Sequence, residues 1–342
     1  MIADEVTAVR SILDLKYPIR EGIIQDKEEL ELLWEYTLTK KLNVKNDDLK
    51  SRSCIITEAP MNPFHNKVIM TEILLEKIGI GGLNIEAQAK LAIMNEGKSS
   101  GLVLDSGDGV THCIPVVHNT IDHHNITRLN IAGRHITEYL IRLLQMKGYN
   151  FNSSADFEIV RELKEKFCFV SPDIEQDRRI ERETCYYNSY FKLDNGKTIK
   201  ISNEKFEAPE ILFNPMLIQN ECVGIHDMVV NCIQNSAMDN RKLLYECIIL
   251  SGANTMFKGF SSRIESEILK SYKKNVLKDN RKINIPINIV DNPKRNIAVF
   301  MGAAFLANTL NQNHITDYWI LKKEWEECGS QILYKKCTNI MI

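Results

Sequence analysis

Apolar residues along this chain recur in two rhythms, and the rhythm changes every ten to twenty residues. Asp26 precedes Glu28 and Glu29, then Leu30, Leu32, Leu33, Trp34 and Tyr36, which predicts an amphipathic helix with an aspartate cap. Cys54, Ile55 and Ile56 form a short apolar run, closed by Pro60-Met61-Asn62-Pro63. Two prolines in four residues force extended backbone, so the run predicts a strand ending in a turn. Residues 66–78 and 86–95 return to a helical period, the second stopped by Gly97. Leu102-Val103-Leu104 predicts a buried strand, with 113–117 as its hairpin partner. Helices are predicted over 136–147, 154–169 with Ser154 as cap, 261–269, and from 297 to 310 as a buried helix. Strands are predicted over 197–201 and 244–251. Strands alternating with helices of this length indicate an α/β fold.

Two of these strands run into turns that bear chemistry. After Leu104 the chain continues Asp105-Ser106-Gly107-Asp108-Gly109-Val110. Glycines in such a turn are free to take positive φ and to bare backbone N–H groups, which makes a concave nest for an anion. Asp105 and Asp108 are poor partners for a phosphate but good ones for a Mg²⁺ that bridges to it, usually through water. An ordinary hairpin turn is the competing reading of the same residues. The second turn, Gly252-Ala253-Asn254, follows the apolar run ending at Ser251. Open α/β sheets bind ligands beyond the carboxyl ends of their strands, so both turns are expected at one cleft. Between them in sequence, Arg161, Lys164 and Glu165 share one helical face, either to meet a base and ribose or as a solvated ion-paired face.

Composition narrows the function. The 342 residues are 44% hydrophobic and 26% charged, enough for two domains with sizeable cores. With 43 basic and 45 acidic residues the net charge is −2, which gives no support to nucleic-acid binding. No run is long and apolar enough to suggest membrane insertion. The nine cysteines form no C-x-x-C pair, as expected of reduced thiols in the cytoplasm. Residues 270–283 are strongly basic and read as a solvated surface insert. There is no G-x-S-x-G, Walker A loop or H-E-x-x-H, so hydrolysis would need a polar side chain to position water, for which Gln88 and His112 qualify by type.

The ordered set Gly101-Leu-Val-Leu-Asp-Ser-Gly-Asp-Gly-Val-Thr-His112, Arg128-Leu-Asn-Ile-Ala-Gly-Arg134, Ile159-Val-Arg-Glu-Leu-Lys-Glu-Lys166 and Leu250-Ser-Gly-Ala-Asn-Thr-Met256 resembles the actin superfamily. The likeness runs from about Val9 to Lys336. Pro60–Pro63, Ser154–Glu158, Phe206–Phe213 and the Tyr272–Lys278 insert are more similar to an actin-related branch than to conventional actin, whereas Tyr334-Lys-Lys-Cys337 is closer to conventional actin. The resemblance implies an actin-like ATPase fold: two α/β domains around a nucleotide cleft, the first incomplete at its N-terminal side. On that reading residues 1–95 are a remnant of the first domain (1–17 an outer fragment), 96–296 the second domain, and 297–342 a segment returning to the first.

The same resemblance implies ATP and Mg²⁺ as ligands. Asp105 would hold the Mg²⁺ water shell, and Gly107, Asp108, Gly109 and Val110 would meet the outer phosphates. Gly133, Arg161, Lys164 and Glu165 would line the ribose and base, with Gly252, Ala253, Met256 and Phe257 on the other side. Gln88 and His112 would occupy the water-positioning sites. It further implies a cytoskeletal subunit of a branched-actin nucleating complex, partnered by a second actin-related subunit and by actin filaments, with at most slow regulatory hydrolysis. A first phosphate loop of Asp-Asn-Gly-Ser-Gly type is not found in the sequence given. Two expectations follow: a segment carrying it precedes this sequence, or the chain is a truncated pseudo-actin with impaired nucleotide binding. Ala253 stands where the family has glycine, Asn296 where it has lysine, and Asn130 and His135 where it has aspartate.

Overall fold

The computed structural model describes residues 2–6, 13, 15–193, 196, 198–278 and 286–337. Parts of the 1–17 outer fragment, residue 197 of the expected 197–201 strand and 279–283 of the basic segment lie outside the described residues. The chain divides into two compact units. One comprises Met1–Ser99, His118–His123 and Ile297–Ile342, the other Ser100–Val117 and His124–Asn296.

In the first unit Asp26 caps α1 (Lys27–Tyr36), its Oδ1 accepting from the Glu28 and Glu29 amides at 2.9 and 3.0 Å. Strand β1 (Ser53–Glu58) leads through the two prolines into α2 (Phe64–Thr71), which continues as a π-helical stretch over Glu72–Ile78. Strand β2 (Gly82–Ala87) pairs in parallel with β1, from Ser53 opposite Gly82 to Glu58 opposite Ala87. That ladder corrects the helix expected over 86–95. Glu86 and Ala87 are its last rungs, so α3 (Gln88–Asn95) starts two residues later.

Among the described residues, the second unit gives five strands to its main sheet. They are β3 (Gly101–Ser106), β4 (Thr111–Val117), β5 (Thr127–Leu129), β6 (Ile248–Ser251) and β7 (Ile289–Val290). Strand β6 runs parallel to both β3 and β7, and β4 is antiparallel to β3 and β5. Its helices include α4 (Gly133–Met146), α5 (Ser154–Phe167), α6 (Ile225–Asn235), α7 (Met238–Glu246) and α8 (Phe260–Asn275). Leu102, Leu104, Ile248 and Leu250 from the strands pack with Ile136 and Leu140 of α4, Val229 and Ile233 of α6, and Ile264 and Ile268 of α8. Two expectations shift here. The cap of α5 is Ser153, not Ser154: Asp156 donates its amide to Ser153 Oγ and accepts the Ser153 amide in return, a reciprocal pair that fixes the start. The apolar run 244–251 is the end of α7 followed by a strand of only four residues; Leu244 and Tyr245 are buried in the same core from a helix. Phe206–Phe213 forms two short helical turns tied to α8 by Arg263, which donates to Glu210 at 2.9 Å and lies over the Phe213 ring.

The chain re-enters the first unit as α9 (Ala298–Gln312) and β8 (Ile320–Leu321), the latter antiparallel to β2 with Ile320 opposite Leu83. Helix α9 packs on α3, and Gly302 lets them approach: a Cβ there would lie 2.0 Å from the Leu91 carbonyl oxygen. The buried helix expected from 297 to 310 is buried on one face only. Phe300 is 69% exposed and Phe305 58%, with Met301 beside them. Among the described residues no helix is long and apolar enough to cross a membrane.

Candidate functional site

Parallel pairing of β3 with β6 sets Asp105 opposite Ser251, so both strands deliver their turns to one edge of the sheet. Gly252 continues at φ 89°. A Cβ on it would sit 2.2 Å from the Ser106 carbonyl oxygen and 3.0 Å from Asp105 Oδ1. Only glycine allows that approach, and it brings the 252–257 turn against the end of β3. The turn is held from its other side by Arg295, a buried residue whose guanidinium donates to the Thr255 carbonyl (2.9 Å) and hydroxyl (3.1 Å) and to the Asp291 and Asn292 carbonyls. The Gly252 amide donates to the Arg295 carbonyl at 3.2 Å.

Residues 107–110 are at once a hairpin turn and a loop fixed by a helix N-terminus. Asp105 faces His112 across the hairpin, and the Gly107 amide donates to the Val110 carbonyl at 3.2 Å. Gly133 and Arg134, the first residues of α4, donate their amides to the Gly107 and Asp108 carbonyls at 3.0 and 2.8 Å. Arg134 Nε also reaches Asp108 Oδ2 at 3.3 Å. Lys164 Nζ donates to the Gly133 carbonyl at 2.8 Å. A Cβ on Gly133 would lie 3.2 Å from the Gly107 carbonyl oxygen, 3.3 Å from Lys164 Nζ and 3.5 Å from the Asp108 Cα. Neither Gly107 nor Gly109 takes the positive φ that the sequence leaves open to them; the left-handed backbone of this site is at Gly252.

The fold therefore gathers Asp105, Gly107, Asp108, His112, Gly133, Lys164 and Gly252 at one end of the second unit's sheet. Gly109 and Val110 complete the turn, both partly exposed. Ala253 and Met256 are exposed and Phe257 half-buried on the second turn. Arg161 and Glu165 take the ion-paired alternative: Arg161 bridges Glu158 at 2.7 Å and Glu165 at 3.7 Å on the α5 surface. Gln88 belongs to the first unit, where it opens α3 directly after β2. Two departures keep local roles, His135 Nδ1 accepting the Ala132 amide and Asn130 Oδ1 accepting from Arg128.

Electrostatics at this edge follow from burial. Crowding by protein raises the Asp105 carboxyl above its ordinary pKa of 3.8. Burial pushes the His112 imidazole down to about 4, with Arg128 adding to the effect, so it is neutral at pH 7 with Nε2 buried and without a protein partner. Burial also lowers Lys164, partly opposed by Asp108 and Glu165. Among the described residues no group of three or more His, Cys, Asp or Glu side chains gathers to hold a metal directly. A lone carboxylate at a strand end suits a cation held through its water shell. Arg295 and the role of Asn254 within the second turn escaped the sequence reading, since both residues act through hydrogen bonds between segments far apart in the chain.

Comparison with known proteins decides the family. The Actin family model matches residues 1–338. The chain belongs to the actin family. Among its curated actin-family relatives is Actin-related protein 2 of Schizosaccharomyces pombe, 44% identical over 337 residues, covering 98% of this chain and 85% of the relative. Actin-related protein 2 of Acanthamoeba castellanii is 42% identical over 339 residues, with 98% and 86% coverage. The Drosophila melanogaster protein of the same name is 42% identical over 338 residues, with 98% and 84%. The actin-like α/β fold implied by the ordered motifs is thus shown for the chain, and its actin-related cues lead to relatives of that branch.

Proposed function

We propose that this actin-family chain binds ATP with Mg²⁺ and serves as an actin-related subunit of a branched-actin nucleating complex, templating a daughter filament beside an actin-related protein 3-like subunit. One observation carries the nucleotide reading: the register that sets Ser251 beside Asp105 and joins two glycine turns at the carboxyl ends of adjacent parallel strands. The residues fit the ligand. Gly252 lets the second turn close on the end of β3, and the neutral His112 presents a buried Nε2 with no protein partner. Asp105 would hold the hydrated Mg²⁺, which neutralises phosphate charge; Gly107, Asp108, Gly109 and Val110 would meet the phosphates. Gly133 and Lys164 would lie along the ribose, with Ala253, Met256 and Phe257 toward the adenosine. Arg161 and Glu165 would reach it only by opening their mutual pair. Gln88 and His112 remain the candidates for positioning water, and turnover would be slow and regulatory.

The subunit reading is supported by likeness across 98% of the chain to proteins named Actin-related protein 2, and it makes the cytoplasmic cytoskeleton the expected location. Affinity purification of tagged chain from cells tests it. Recovery of an actin-related protein 3-like subunit and actin filaments is expected; retrieval of a different assembly, such as a chromatin complex, would overturn it. Titration calorimetry with Mg·ATP tests the ligand, and absence of heat at saturating concentrations would favour the pseudo-actin alternative.

A further inference from the structure

A single file of hydrogen bonds runs through the buried floor beneath the two turns. Thr111 Oγ1 donates to the Ile131 carbonyl at 2.7 Å. A carbonyl has no proton to return, so the only proton of Thr111 is committed there. Ser106 Oγ lies 2.7 Å from Thr111 Oγ1 and must therefore be the donor of that pair. With its own proton spent, Ser106 accepts from Asn254 Nδ2 at 2.9 Å. The direction is fixed throughout: Asn254 to Ser106 to Thr111 to Ile131. All four residues are buried, Asn254 at 6% exposure. They lie just before and just after the 107–110 turn, two residues ahead of Gly133, and inside the 252–257 turn. Asn254 Oδ1, the end of the carboxamide not engaged by this file, is buried with no protein partner.

We propose that Asn254 is a positioning residue for nucleotide binding: its amide proton completes this file, whose direction the Ile131 carbonyl sets, and makes the two turns order as one. The proposal rests on the nucleotide reading above. A donor is indispensable at this position. Asn254→Asp keeps the shape but, as a carboxylate, sets an acceptor against Ser106 Oγ. The file could be repaired only by reversing it, which would strip the Ile131 carbonyl of its donor.

The test combines backbone hydrogen exchange on the ligand-free chain with Mg·ATP titration, using N254D, S106A and the double variant. N254D is expected to speed exchange over both 105–112 and 253–257 and to weaken ATP on the order of tenfold, the scale of a buried polar group left unsatisfied. In the S106A background the acceptor clash has been removed, so N254D is expected to cost less than threefold further. Full additivity of the two substitutions would overturn the proposal, as would faster exchange confined to 253–257. Asn254→Ala removes the donor without adding charge and is expected to give the same two-segment pattern more weakly; it serves if N254D does not fold. A wild-type chain that takes up no ATP would defeat the nucleotide reading alone, while the exchange pattern still decides whether the turns are coupled.

Discussion

At the residue scale, the two groups facing each other across the hairpin respond to pH in different ways. Asp105 has a raised pKa, so its folded form favours the proton, and stability from that preference is lost as pH rises through the folded value. Asp105→Asn is therefore expected to raise the melting temperature of the unliganded chain at pH 7 while weakening Mg·ATP by about tenfold or more, as loss of a charged partner does. Its residual affinity should also lose the decline in acid that the wild-type carboxylate produces, checked by calorimetry from pH 5 to 8. His112 has the opposite sign. Its folded value of about 4 lies below the ordinary 6.5, so the stability of burying it neutral is complete above 6.5 and drains away as pH falls to 4. That contribution amounts to about 3 kcal/mol. In urea titrations His112→Gln should flatten this slope between pH 6.5 and 4. The glycines and carboxylates of this site were legible in the sequence because turn chemistry is local. The roles of Arg295 and Asn254 were not, because their partners lie 40 and 148 residues away and only folding selects among them.

At the element scale, apolar rhythm located most segments and misplaced their ends. Residues 244–251 show why. Leu244 and Tyr245 enter the core from α7, Ile248 and Leu250 from β6, and a continuous apolar run does not reveal the change of element. Glu86 reads as helix by period yet lies in the ladder opposite Thr57, where its carboxylate accepts from Lys90 Nζ at 3.2 Å and from the Tyr318 hydroxyl. Close packing of α9 on α3 depends on Gly302 in the same non-local way. Gly302→Ala puts a methyl where backbone already stands, and an overpacking cost of about 1–3 kcal/mol is expected. Thermal unfolding monitored by circular dichroism would measure it. An unchanged melting temperature would mean that the two helices can part without loss.

At the scale of the whole molecule, the outer face of α9 stands apart from the rest of the surface. Phe300 and Met301 are adjacent, and Phe305 follows within a turn and a half, on a helix that is apolar around most of its circumference. A face of that kind promotes self-association when left in water. Phe300→Lys with Phe305→Lys is expected to lower the concentration-dependent light scattering of the purified chain without shifting its melting temperature. The actin-like fold was legible at this scale because several motifs occur in a fixed order; no single one would have sufficed. The partial burial of α9 was not legible, since an apolar, small-residue run looks the same whether one face or both are covered.

The order of units along the chain also sets a timetable for synthesis. The second unit is complete once the ribosome has passed Asn296. The first must wait longer, because β8 joins β2 only after Ile320 has been made, more than 230 residues beyond its partner Leu83. At translation rates of roughly 5–20 residues per second, β1 and β2 stand without that edge for roughly 10–50 seconds. During that interval the edge of β2 that Ile320 and Leu321 come to occupy stands open to pair with other chains.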